Sequence, residues 1–179
     1  RALGSRPLVY VTMGTEFNKE LGVFRAILDG LGGQPFDVVV TVGPSGDPDA
    51  LRPYADNIRV ERFISQSALL PRAAVFVSHA GSGTSLAGLA AEIPQLCVPQ
   101  AADQFFNAGA CAKAGAGIAL QPGGVTADAV NKAVATLLAD ASLKYPAQAT
   151  CRPYRAAVVS SIFTSSGGVY GYSYERFVE

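Results

Sequence analysis

Short, strongly apolar runs alternate with longer stretches whose apolar positions recur at helical spacing, and glycine, proline or a polar cluster separates one from the next. "PLVYVTMGT" (7–15) is β-branched and ended by glycine, the pattern of a buried strand, and "KELGVFRAILDGLGG" (19–33) carries a helical apolar stripe that glycines stop. "DVVVTVG" (37–43) predicts a second strand, "DPDALRPYADN" (47–57) a polar connection, "IRVERF" (58–63) a third strand and "SALLPRA" (67–73) a short helical or turn segment. "AVFVSH" (74–79) predicts a fourth strand, "TSLAGLAAE" (84–92) a helix, "PQLCVP" (94–99) a fifth strand and "QFFNAGACAKAG" (104–115) a helix. "GIALQ" (117–121) then predicts a sixth strand, and "TADAVNKAVATLLAD" (126–140) a further helix with Thr126 as its N-cap. Strands this apolar need cover on both faces, so the expected fold is α/β: a Rossmann-like, doubly wound parallel sheet of about six strands with helices on both faces.

One domain of 179 residues is expected, large enough for a sizeable core. Fourteen basic residues balance fourteen acidic ones, which leaves no net field for nucleic acid or an anionic membrane, so any anion must be held by a local site. No uncharged apolar run approaches the length of a membrane span. The opening residues pass directly from a basic stretch into a core strand, so we expect no signal peptide and a start that resembles a cut in a longer chain. Cys97, Cys111 and Cys151 are odd in number and lack paired metal-ligand spacing, which points to reduced thiols and a cytoplasmic setting.

Ligands of parallel α/β sheets bind at the carboxyl ends of the strands. Four predicted strands carry polar or glycine features at that end: Gly14 and Thr15 after the first, Phe63 and Gln66 after the third, His79 to Thr84 after the fourth, and "QAADQ" after the fifth. Gly81 and Gly83 bracket Ser82 in front of a helix, where unblocked N–H groups can face an anion beside the Ser82 and Thr84 hydroxyls. The spacing is not that of a P-loop or of a three-glycine dinucleotide turn, which disfavours ATP and NAD. His79, the only histidine, can donate an N–H to a phosphate oxygen, or can merely hydrogen-bond a backbone carbonyl at a strand end. Each of the others also has an ordinary structural role: Phe63 in the core, Asp103 as a helix N-terminal acid, Gln104 as a surface amide, Thr15 as a cap and Gly14 as a strand exit.

"HAGSGTSLAGLAAEIPQLCVPQAADQFFNA" (79–108) resembles the sugar-nucleotide signature in the C-terminal domain of inverting GT-B glycosyltransferases, as found in bacterial natural-product enzymes and plant UDP-glycosyltransferases. "RFISQSALLPRAAVFVSH" (62–79) extends the similarity upstream, and the whole resemblance covers about residues 7 to 140. It implies that Gly14, Thr15, His79, Gly81, Ser82, Gly83 and Thr84 hold the donor diphosphate, and that Asp103 and Gln104 bind sugar hydroxyls. Phe63 would stack on the base, the Ile64 backbone would read its pyrimidine edge, and Gln66 would complete that subsite. The implied donor is a TDP- or UDP-sugar, the implied acceptor a small molecule held by an N-terminal domain or partner, and no cofactor or metal is expected. Plant members carry a glutamate eight residues after the histidine to grip both ribose hydroxyls; here Ala87 stands there, which fits a deoxyribose donor.

Residues 155–179 turn Ser/Gly-rich and Tyr-alternating and do not follow the family pattern. No second histidine exists to activate an acceptor hydroxyl, so no catalytic residue is expected in this chain, and the base is expected in an N-terminal domain. Three other readings stay open: a half-transferase that docks on a partner subunit, a non-catalytic nucleotide-sugar-binding module, and an epimerase of similar fold.

Overall fold

A computed structural model describes residues 5–14 and 21–140; Thr15 and the atypical tail from 155 to 179 lie outside the described residues. Among the described residues six strands form one sheet: β1 (Leu8–Thr12), β2 (Asp37–Thr41), β3 (Ile58–Glu61), β4 (Val75–Ser78), β5 (Gln95–Cys97) and β6 (Gly117–Ala119). Their order is β3-β2-β1-β4-β5-β6 and every pairing is parallel. The chain therefore winds outward from β1 to β3, crosses back to lay β4 against the other side of β1, and winds outward again. This reversal between β1 and β4 is the topological switch point, where the loops after the two strands diverge and leave a crevice.

Five α-helices are found among the described residues, α1 (Leu21–Leu31), α2 (Gln66–Leu69), α3 (Ser82–Ala90) and α4 (Gln104–Lys113) between strands and α5 (Ala127–Ala139) after the last. They cover both faces because alternate side chains of each strand point to opposite sides and both sets are apolar. Val9 and Val11 of β1, with Val38, Val40, Val75 and Val77, pack under Phe24, Ile27 and Leu28 of α1 and Val130, Val134 and Leu137 of α5. On the opposite face, Tyr10, Val39 and Phe76 meet Leu69 and Leu70, and Ala87 and Ala91 of the α3 region close over them. Tyr10 and Phe76 stack with ring centroids 5.1 Å apart, which joins β1 and β4 directly below the switch point. A third cluster, including Leu89, Cys97, Ala108 and Cys111, seats α3 and α4 on β5. Cys97 and Cys111 are free and buried there; hydrogen bonding with Cys111 and burial both push the Cys97 thiol up.

Local chemistry fixes the ends of these elements. Thr126 caps α5, its hydroxyl accepting from the Ala129 N–H at 3.2 Å, as its position ahead of the apolar period predicts. The connection at 47–57 holds a one-turn helix, Pro48–Leu51, opened by the Asp47 carboxylate, which accepts from the Asp49 N–H. Helix α3 starts at Ser82, two residues earlier than its apolar pattern indicates, because the pattern registers only where apolar residues begin, whereas the backbone turns as soon as it leaves the rim.

Candidate active site: the rim at the switch point

Two glycines make room for the single histidine. Gly14 leaves β1 with φ of +76°, and a Cβ there would lie 2.6 Å from His79 Cε1; a Cβ on Gly81 would lie 2.4 Å from His79 Nε2. The imidazole is thus held between the exits of β1 and β4, at the crevice of the sheet, and is only 8% exposed. Burial pushes its pKa below the ordinary imidazole value, against opposing influences from the Asp103 carboxylate and the backbone of Thr12. The ring hydrogen-bonds the backbone of Thr12 at the end of β1, as a strand-end histidine can, while Nδ1 has no hydrogen-bond partner among the described residues. A neutral imidazole in this setting still offers one N–H and one lone pair, and gains a proton most readily when an anion sits beside it.

Immediately beyond, Ala80 adopts φ of +62°, a left-handed conformation that costs an alanine energy and that the surroundings must hold in place. It turns the chain so that Gly81 becomes the N-cap of α3, with no side chain capping the helix. The first intrahelical bond is made by Ser85, whose N–H donates to the Gly81 carbonyl at 2.8 Å. The N–H groups of Ser82, Gly83 and Thr84 therefore form the positive end of the helix, the geometry that suits an anion. A Cβ at Gly83 would meet nothing within 4 Å, so the space over this turn is open.

The loop after β5 supplies the opposite wall. Asp103 occupies the N-cap position of α4, yet its carboxylate makes no capping bond; Oδ2 accepts instead from the Ser82 hydroxyl at 2.5 Å and from Asn107 Nδ2 at 3.0 Å. Asp103 is exposed, and its charge reaches His79. Gln104 is buried, and its side-chain oxygen accepts from the N–H groups of Gln100 at 2.8 Å and Ala101 at 3.1 Å, so it braces the loop rather than lying on the surface as a solvated amide. Ala102, at φ of +53°, is the second left-handed alanine of this rim.

The segment after β3 leaves the same edge of the sheet, because every pairing is parallel. Phe63 is 68% exposed, which removes the alternative of a core residue. Ile64 is half-buried in the same apolar cluster as Leu69, Leu70 and Ala87, so this segment and α3 are packed side by side; Gln66 opens α2. The fold thus gathers Gly14, His79, Gly81, Ser82, Gly83, Thr84, Asp103 and Gln104 around the switch point, while Phe63, Ile64 and Gln66 follow β3 on the same edge of the sheet. Among the described residues, no group of three or more His, Cys, Asp or Glu side chains could hold a metal ion, and no helix is long and apolar enough to cross a membrane.

Sheet order, rim position and the histidine-glycine turn define a Rossmann-like domain, and comparison with known proteins gives its class as the C-terminal domain of glycosyltransferases with the GT-B plan. Residues 25–160 match the model of the family described as erythromycin biosynthesis protein CIII-like, C-terminal domain, and the chain belongs to that family. The match continues past 140, beyond the stretch in which the sequence alone shows the likeness. The chain is 34% identical over 141 residues to the oleandomycin glycosyltransferase of Streptomyces antibioticus, covering 78% of this chain and 33% of that enzyme. It is 30% identical over 135 residues to the demethyllactenocin mycarosyltransferase of Streptomyces fradiae, covering 75% and 29%. Among solved structures, the glycosyltransferase of kitacinnamycin superposes with a TM-score of 0.78 at 27% identity, covering 87% of this chain and 41% of that one. The glycosyltransferase VinC, solved in complex with dTDP, superposes with a TM-score of 0.73 at 29% identity, covering 85% and 38%. The chain thus spans less than half the length of each of these relatives.

The His79 environment carries a pH signature. Its folded pKa lies below the unfolded value of about 6.5. The unfolded chain therefore takes up a proton first, and the stability associated with neutral His79 is complete above about pH 6.5 and is lost as the pH falls below it. Wild type should lose stability relative to His79→Gln between pH 7.5 and 5.5 in urea unfolding. Parallel stability curves would show that the imidazole is not desolvated in the fold.

Proposed function

We propose that this rim binds a nucleoside-diphosphate sugar, and that the chain is the donor-binding half of an inverting glycosyltransferase that glycosylates a small natural-product acceptor. The observation that carries the reading is the wedged His79, with Nδ1 unpartnered among the described residues, in front of the uncapped N-terminus of α3, at the crevice of the sheet. A diphosphate needs fixed donors and positive potential. The N–H groups of Ser82, Gly83 and Thr84 supply the first, the helix end supplies the second, and His79 adds a donor that charges as the anion arrives. Thr15 and Thr84 would add hydroxyls, whereas the Ser82 hydroxyl is engaged by Asp103.

On this reading, Asp103 and Gln104 receive the sugar, Asp103 through its exposed carboxylate and Gln104 by shaping the loop that carries it. Phe63 offers an exposed ring for the base, with Ile64 and Gln66 beside it. In a displacement with inversion, the acceptor oxygen attacks the anomeric carbon as its bond to the diphosphate breaks, and negative charge builds on the departing phosphate. Donors already aimed at that oxygen lower the barrier without reorganising, and need no metal to do so. Acceptor and base are assigned to an N-terminal domain or partner, because the one histidine of this chain is committed to phosphate. The short span of the relatives that the chain covers is consistent with this division.

Calorimetric titration with TDP and UDP tests the reading. Both should bind, and His79→Ala should weaken both by about 1 to 3 kcal/mol, the scale for losing a hydrogen bond to a charged group. The chain by itself should form no glycoside from TDP-glucose and phenolic acceptors. Unchanged affinity in His79→Ala would remove the phosphate role.

Ala87 sits half-buried on α3, in the apolar cluster that also holds Ile64, and on this reading the ribose lies beside it. TDP should bind at least as tightly as UDP, and Ala87→Glu should shift the preference toward UDP. A wild-type chain that clearly favours UDP would contradict the deoxyribose assignment.

A further inference from the structure

Asn107 is 1% exposed on the inner face of α4, and its Nδ2 lies within hydrogen-bonding distance of three acceptors at the rim. These are the Ala80 carbonyl at 3.0 Å, the Ser82 hydroxyl oxygen at 3.2 Å and Asp103 Oδ2 at 3.0 Å. The first belongs to the left-handed residue that aims His79 and Gly81, the second to the first turn of α3, and the third to the exposed carboxylate of the opposite loop. Two amide hydrogens shared among three acceptors form a single node. The Ser82 hydroxyl completes it by donating to the same Asp103 oxygen. The bond from Asn107 to the Ala80 carbonyl is buried, where neither partner can be exchanged for water, and it anchors the amide whose other contacts reach the more exposed Ser82 and Asp103.

We propose that Asn107 is a positioning residue that locks the Asp103 carboxylate to the diphosphate turn, so that the rim distinguishes a nucleoside-diphosphate sugar from the bare nucleoside diphosphate. The proposal rests on the donor-binding reading above. Oδ2 is held by Ser82 and Asn107, which restricts rotation of the carboxylate, and the charge of Asp103 reaches His79. Without Asn107, Asp103 keeps its charge but loses its orientation, and the Ala80 turn loses the donor that holds its carbonyl. The conserved quantity at stake is the distance between the sugar subsite and the phosphate subsite. A side chain that served only to fill space under α4 would have no bearing on it.

The test is a double-mutant cycle on the chain, with TDP and TDP-glucose as probes and calorimetry as the readout. Asp103→Ala should remove most of the affinity difference between the two ligands; if it leaves that difference intact, the sugar-binding reading of Asp103 fails, and the proposal with it. Asn107→Ala should reduce TDP-glucose affinity at least about 5-fold more than TDP affinity, and should add little when combined with Asp103→Ala, because both substitutions break one unit. Equal losses for the two ligands, or losses that multiply in the double variant, would overturn the link through Asn107 while leaving the Asp103 assignment standing. Asn107→Asp keeps the volume and keeps the variant informative if the alanine form does not fold. It places a carboxylate against Asp103, so its discrimination should be poor at pH 8 and partly recover near pH 5.5, when the pair can share a proton. Discrimination that stays at the wild-type level at pH 8 would likewise overturn the proposal.

Discussion

The organisation of this domain depends on fitting an imidazole between two backbone segments that have no room for a Cβ. Gly14 ends β1 and Gly81 opens α3, and a methyl group at either position would enter the His79 ring. Their closeness is a consequence of sheet order: only β1 and β4, adjacent in the sheet and connected outward in opposite directions, can bring two strand exits so near without a crossing helix between them. The stacked Tyr10 and Phe76 rings below join the two strands, and the valines of one face hold α1 and α5 against the sheet. The polar rim thus rests on a core that is apolar throughout the strands, and the desolvation of His79 follows from the same packing.

Most of the fold could be read from the chain because its signals are local. Parallel strands buried on both faces are continuous apolar runs, their helices have a clear period, and glycine and proline punctuate the junctions. The strand order itself is not local, but alternation with right-handed crossovers leaves few arrangements, and the doubly wound one was expected. The rim was legible for a related reason: polar and glycine residues clustered after the first, third, fourth and fifth strands, and the parallel sheet puts all those ends on one edge.

What the chain did not disclose arises from contacts between distant segments. Asn107 stands in "QFFNA" as an ordinary helical asparagine, and only the packing of α4 against the exit of β4 makes it the hub of three rim contacts. Ala80 and Ala102 adopt left-handed backbone that no alanine signals. Gln104 carries a polar side chain that pattern places on a surface, and the fold turns it inward to satisfy two N–H groups of its own loop. A signal for Asn107 did exist in principle, since a polar residue one helical turn after Asp103 on the buried face of an apolar helix needs a polar partner.

Because the chain contains a single histidine, one imidazole signal reports directly on the centre of the site. Long-range nitrogen-proton correlation spectra should show that ring in its neutral form at pH 7. Addition of TDP should shift both ring nitrogens saturably toward the protonated positions, and thymidine alone should leave them in place. Saturable TDP binding with an unmoved imidazole would contradict the account, because the anion would then lie somewhere other than between Gly14, His79 and the first turn of α3.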